Sequence, residues 1–450
     1  MPSTSSLLTR ISLAAAAAAL ALPLAAATPK AGAAKINITP DGPIWLSGYA
    51  SRTKPSGGVY APIYAKALAI EDGSGGRIVI VATDIIGLPQ SLSDRIAATA
   101  ADKYHLSRAQ LLLNSSHTHT GPMIDGNLSP MEPKDPENLA KIRAYGLTLH
   151  DKVVDVIGAA LGKLQPAKLS FAFGEAKFAG NRRMKTEKGW ANAQNPNGPV
   201  DHRVPVLRVT GKNGQVFALL FGYACHNTTA TGENYEISGD YAGFAQAEIE
   251  RLLTGSTAMF IMLCAGDQNP YPRGSFALAE QHGKTLGAEV ARVAATPMKP
   301  VSGKVKSAFK MTRLALENMQ QVDYPVQAVR FQKGFTLIAL GGEVVIDYVK
   351  ILGEMFPKEP LVVSGYSNAV MAYIPSKRIL DEGGYEGGDS MKWYSLPTKF
   401  AADVEDRVKE AAQDVMRRDT DSVPSACRAA GGPKAGDPRP CGGGSGRNRG

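Results

Sequence analysis

Four polar stretches hold most of the chemistry, and each comes directly after an apolar run or a pair of glycines. The first is NSSHTHTGP, Asn114 to Pro122, after the run QLLL. On an extended backbone alternate residues share a face, so His117 and His119 point the same way. Such a pair can provide two metal ligands, or one ligand and one acid/base group; a pair of surface histidines is the plainer alternative. The second is GYACHNTT, Gly222 to Thr229, where His226 is either a metal ligand or a core histidine bonded to a threonine. Downstream, Asp240 reads as a helix cap. The third is CAGDQNP, Cys264 to Pro270. Its Asp267 and Asn269 either line a pocket or satisfy their own turn. In the fourth, Glu343 follows Gly341 and Gly342, and Tyr373 and Tyr385 come later. A carboxylate beside two glycines can approach a metal closely, and a phenol can act as an unusual ligand or as a donor to an oxyanion. Read alone, Glu343 is a helix-start acid and the two tyrosines are half-buried aromatics.

Imidazoles plus a carboxylate, with an open position, make a zinc site suited to hydrolysis. Zinc brings the pKa of its bound water to about 7 and polarises a scissile carbonyl. These residues lie far apart in the chain, so spacing alone does not join them. The sequence has no HExxH, no GxSxG and no Walker loop, which removes the common zincin, α/β-hydrolase and nucleotide-binding readings.

The elements that must position these stretches alternate. Short apolar runs at 77–83, 110–116, 204–209, 216–224, 258–265, 335–342 and 361–365 predict buried strands. Helical spacing predicts helices over 91–104, 137–163, 242–253, 277–295, 344–356 and 398–417, the first with Ser91 or Ser93 as cap. Some strand pairs are joined by tight turns, such as Gly211 to Gly214. The expected fold is therefore α/β, with mixed β-sheets sandwiched by helices in a single catalytic domain.

The chain has 450 residues, 20% of them charged and 44% hydrophobic, which excludes coiled-coil, collagen-like and wholly disordered classes. Net charge is +9, but no long Lys/Arg run is present and part of the charge sits near the C-terminus, so no nucleic-acid partner is expected. Residues 1–27 read as a signal peptide: Arg10, an apolar run, then Ala25 and Ala27 as a small-x-small cleavage site. The protein is therefore expected to be exported, periplasmic or secreted. A short linker over 28–35 precedes the catalytic domain at 36–418, and a disordered Gly/Pro/Arg-rich tail follows at 419–450. Cys225 and Cys264 read as buried free thiols or as a pair; Cys427 and Cys441 could close a loop in the tail.

Taken in order, SSHTHTGP, NRRM, the strand ending in Cys225 and His226, ISGDYAGFA, AGDQNP, GGE, SGYSNAVMAY and GGYEGG resemble the neutral/alkaline, non-lysosomal ceramidase family. The early segment LSGYASRTKPSGGVYAPIYAKALAIED is similar to that family's start, and the resemblance runs over roughly residues 36–417. It implies one zinc per chain, held by His117, His226, Glu343 and Tyr373. It implies that His119 is the neighbouring active-site histidine, that Arg182 contacts the substrate amide or carboxylate, and that Tyr385 stabilises the tetrahedral intermediate. The implied reaction splits an N-acylsphingosine into a fatty acid and a sphingoid base, with a lipid N-acyl amide as partner and transient contact with a membrane surface. A hydrolase of another N-acyl or ester substrate, or a non-catalytic binding protein of the same fold, are the alternatives. The sequence departs from the family at Asn269, where the family turn carries a serine. A hydrogen-bond donor remains there, but no nucleophile, which favours attack by water. The family also carries a β-sandwich domain after its catalytic one, whereas the resemblance here ends near residue 417.

Overall fold

The computed structural model describes residues 28–417; the expected signal peptide, the tail and Cys427 and Cys441 lie outside the described residues. Apolar strands dictate the architecture. In the strand Arg77–Thr83, Ile78 and Ile80 enter one core cluster while Val79 and Val81 enter another. In Val216–Tyr223, Ala218 and Leu220 join the first cluster, and Leu219 and Phe221 a third. These strands are buried on both faces, which is why they read as unbroken apolar runs. The shared cluster lies between sheet faces. One outer face is covered by the helices Gln90–Tyr104 and Pro136–Gly162, and the other by Asp240–Leu252 and Phe276–Ala294.

Twelve strands form the main sheet. Most neighbours are antiparallel, but three pairs are parallel: Arg77–Thr83 with Leu111–Ser115, Val216–Tyr223 with Thr257–Met262, and Thr336–Leu340 with Leu361–Ser364. The sheet is thus mixed and sandwiched by helices, as expected, and the hairpin through Gly211 and Gly214 is present. Cys225 and Cys264 are buried free thiols.

Four local readings change. The first helix is preceded by Pro89 with no side-chain cap, so Ser91 and Ser93 sit inside it. Residues 30–35, read as linker, belong to the strand Lys30–Asn37, which pairs with Tyr64–Glu71 along its whole length. Both are alanine-rich, so their sequences carry little branched-residue signal. The long hairpin Lys299–Ala315 with Gln321–Lys333 is masked in the sequence by interspersed lysines, of which Lys299, Lys304 and Lys333 are exposed and Lys306 and Lys310 half-buried. Asp240 is the first helical residue, after Gly239. Its carboxylate accepts from the backbone N–H groups of Thr229, Ala230 and Tyr241, so it anchors the loop after His226 to the helix start.

Candidate functional site

Each parallel pair ends beside the same spot. His117 lies two residues past Leu111–Ser115, His226 three past Val216–Tyr223, and Glu343 opens the short strand just after Thr336–Leu340. In α/β sheets, loops at the carboxyl ends of parallel strands are where sites form. Asn114 joins these ends together. Its amide donates to Gly365 O at 2.9 Å and to Ser367 Oγ at 3.1 Å, and its oxygen accepts from Met262 N at 2.8 Å.

Glu343 and Tyr373 are 30 positions apart, yet they are direct partners in the parallel pair Glu343–Val344 with Tyr373–Ile374. Directly paired residues project to the same side of a sheet, which brings carboxylate and phenol together. His117 holds φ at +62°, a conformation that costs a non-glycine residue about 1–3 kcal/mol and that functional sites commonly retain. Gly48, at φ +91°, packs against the His119 ring; a Cβ there would lie 2.3 Å from Nδ1.

The three imidazoles share one orientation. Nδ1 of His117 meets Ile86 O at 2.6 Å, that of His119 meets Gly48 O at 3.1 Å, and that of His226 meets Ala265 O at 2.7 Å. A carbonyl only accepts, so each ring carries its proton on Nδ1 and turns a lone pair on Nε2 inward. Nε2 of His117 stands 3.1 Å from Nε2 of His119 and 3.1 Å from Glu343 Oε2, and Nε2 of His226 stands 3.0 Å from the same oxygen. The Tyr373 hydroxyl is 3.3 Å from His226 Nε2. Burial, then the neighbouring imidazoles, hold His119 well below its ordinary pKa; burial, then the Arg182 charge, bring His226 down to about 4. Burial alone would raise Glu343; only with a proton on Nε2 of His117 or His226 would the charge and hydrogen bonds of those rings outweigh it and pull the carboxyl well down. Lone pairs and a carboxylate facing one another repel unless a cation lies at their focus. The donor set therefore fits a metal ion, and the histidine nitrogens alone already lie within 4.8 Å of one another.

Arg182 stands beside this focus. Its Nη2 donates to the Tyr373 hydroxyl at 2.9 Å, its Nη1 to Asn269 Oδ1 at 3.3 Å, and its Nε to Glu386 at 2.8 Å. Asn269 also accepts from Thr228 Oγ1 at 3.3 Å. Tyr385 is half-buried on the short helix Gly384–Gly387. Its ring meets that of Tyr373 edge-on at 5.3 Å, and burial pushes its hydroxyl up to about 12. All eight residues singled out from the sequence thus lie in one cluster. Asp267 sits just behind them and does not serve its own turn. It accepts from Ile346 N at 2.8 Å and Asn181 Nδ2 at 3.1 Å.

Sequence reasoning passed over several neighbours. The Tyr394 hydroxyl donates a short hydrogen bond to Glu343 Oε1, and Tyr366 donates to Oε2 at 3.4 Å. Arg52 donates to the backbone oxygens of His119 and Ser47, both at 2.6 Å. Arg52 lies in LSGYASRTK, Tyr366 in SGYSNAVMAY and Glu386 in GGYEGG; Tyr394 lies in none of these motifs.

Residues 30–321 match the family described as neutral/alkaline non-lysosomal ceramidase, N-terminal. That span contains His117, His119, Arg182, His226 and Asn269; Glu343, Tyr373 and Tyr385 lie beyond it. The chain is 27% identical over 251 residues to a neutral ceramidase of Pseudomonas aeruginosa, covering 53% of this chain and 36% of that one. It is 27% identical over 248 residues to neutral ceramidase B of Dictyostelium discoideum, covering 51% of this chain and 33% of that one. The match thus spans about a third of the length of these curated relatives. The solved neutral ceramidase of Pseudomonas aeruginosa shares the fold, with a TM-score of 0.70 at 20% identity over 86% of this chain and 74% of that one. A structure titled as a ceramidase complexed with C2 has a TM-score of 0.72 at 19% identity, over 88% of this chain and 76% of that one.

Proposed function

Because this chain belongs to the neutral/alkaline non-lysosomal ceramidase family, we propose that it is an exported, zinc-dependent hydrolase of an N-acyl amide, with N-acylsphingosines as substrate class. The observation that carries this reading is the convergence of three inward-facing imidazole nitrogens with the Glu343 carboxylate and the Tyr373 phenol. His117, His226, Glu343 and Tyr373 would hold the metal. When bound, it supplies a Lewis acid that polarises the amide carbonyl and makes water acidic enough to attack at neutral pH.

The chain's own groups do the rest. His119, neutral and partly open to solvent, accepts a proton at Nε2 and returns it to the leaving nitrogen. Its Nδ1, tied to Gly48 O, keeps that face of the ring oriented. Tyr385 stays protonated and donates to the oxygen that gains charge in the tetrahedral state. Arg182, buried and cationic, holds the Tyr373 hydroxyl in place and adds positive potential at the same oxygen. Asn269 offers no nucleophile. Its oxygen is committed to Arg182 and Thr228, so the reaction proceeds by water attack without an acyl-enzyme.

Purified protein would be incubated with a panel of N-acyl sphingoid lipids, short N-acyl amines and esters, with and without a chelator. Chelator-sensitive release of fatty acid from the sphingoid amides supports the reading. No turnover of any member by zinc-loaded protein refutes it and leaves the binding-protein alternative. Export rests on residues 1–27. N-terminal sequencing of protein recovered outside the cytoplasm should begin at Thr28; a start at Met1 or Pro2 refutes cleavage.

A further inference from the structure

Two consecutive arginines of the strand Ala179–Thr186 reach one buried carboxylate. Glu386 is 3% exposed. Its Oε1 accepts from Arg182 Nε at 2.8 Å and its Oε2 from Arg183 Nη1 at 2.7 Å. Neighbours on a strand normally point to opposite faces. Here the pairing with Gly189–Asn195 slips register between Asn181 and Arg183, and such irregularities re-aim side chains. Arg183 goes on through Nη2 to Glu382 Oε2 and Gly383 O, both at 3.0 Å. The turn that presents Tyr385 is thereby tied to the strand that presents Arg182.

Burying two cations around one buried carboxylate, with Glu382 partly exposed, is a poor route to stability, since desolvation offsets most of their attraction. What the arrangement delivers is geometry. An arginine side chain has several rotatable bonds, but its guanidinium is planar. Fixing Nε against Glu386 sets that plane, and the two terminal nitrogens then fall at the Tyr373 hydroxyl and Asn269 Oδ1. Among the described residues, Glu386 is the one carboxylate that Arg182 touches.

We infer that Glu386, completed by Arg183, is a positioning residue that aims Arg182 at the Tyr373 hydroxyl and the reacting centre. For its effect on turnover this rests on the amide-hydrolase reading above; for its effect on geometry it does not. Glu386 touches no reacting atom, so it acts through the groups it holds, Arg182 first.

The test is a double-mutant cycle joined to crystal structures of zinc-loaded variants. Arg182→Ala should lower kcat about 10²-fold, the usual loss for one preorganised donor. Glu386→Ala should lower kcat about 10- to 100-fold with KM changed less than about threefold, and in the Arg182→Ala background it should cost less than about threefold more, because groups acting as a unit are not additive. Glu386 keeps Arg183 as partner in that background, so its charge is not stranded. Glu386→Gln, whose amide oxygen can still accept from Arg182 Nε, should recover most of the rate. Glu386→Asp, which draws the carboxylate back from Arg182 Nε by one methylene, takes its place in the cycle if the alanine variant does not fold. The structure of Glu386→Ala should show Nη2 withdrawn from the Tyr373 hydroxyl. Independent, multiplicative losses, or Arg182 unmoved in that structure, overturn the inference. If the wild type turns over no substrate, the functional proposal falls, and the position of Arg182 in the variant still decides this one.

Discussion

Asp267 offers a prediction whose size follows from its surroundings. Its side chain is fully buried, and burial outweighs the hydrogen bond from Ile346 N, lifting its pKa from the ordinary 3.8 to about 7. Between those values the folded protein binds a proton that the unfolded chain does not. Stability therefore falls as pH rises from about 4 to about 7, and is level above that. At about 1.36 kcal/mol for each pKa unit, the loss across this window is on the order of 4 kcal/mol. Asp267→Asn mimics the neutral acid and removes the titration. Other buried groups are shifted too, Asp84 upward and His226 downward, so the measured quantity is wild type minus variant. Urea denaturation at half-unit steps from pH 4.5 to 8 provides it. The variant should gain on wild type throughout this range and be the more stable above pH 7. A difference that is flat with pH, or that favours wild type increasingly as pH rises, refutes the assignment. The loop held by Asp267 carries Ala265 O, the partner of His226, so the same rise in pH should loosen the site before the fold melts.

Purified protein should carry about one zinc per chain, and the double variant His117→Ala/His226→Ala should carry none by elemental analysis; retained zinc would refute the ligand assignment. His119→Ala and Tyr385→Phe should keep zinc while kcat drops about 10²-fold or more, and loss of metal in both would show that structural and catalytic roles have been confused. Tyr394→Phe deletes a hydrogen bond to Glu343 and should weaken metal affinity about 10- to 100-fold in a chelator competition, where unchanged affinity would count against it. Asn269→Ala should lower turnover about 10²-fold, Asn269→Ser should keep much of it, and neither should show a burst. Were Asn269 only shaping its turn, the alanine variant would melt earlier and turn over normally per folded molecule.

Local order decided much of this protein before any folding. The runs IVIVA, LLL and VFALLF are apolar at every position, so they read as strands covered on both sides, and polar residues just past their ends as parts of loops. The HxH spacing made His117 and His119 legible as a pair, although the strand ends at Ser115 and His117 turns to φ +62°, so a turn and not β alternation brings their rings together. Other relations depend on which strand lies beside which, and no stretch of sequence records that. Glu343 meets Tyr373 only because Glu343–Val344 pairs in parallel with Tyr373–Ile374. Glu386 reaches two successive arginines only because a ladder slips register at Arg182. Tyr394, in no recognisable motif, comes to Glu343 through the packing of the turns after Gly383. The residue types and their spacing set what chemistry was available. Long-range pairing, whose energy comes from burying faces contributed by distant segments, decided which of those groups converge on one point.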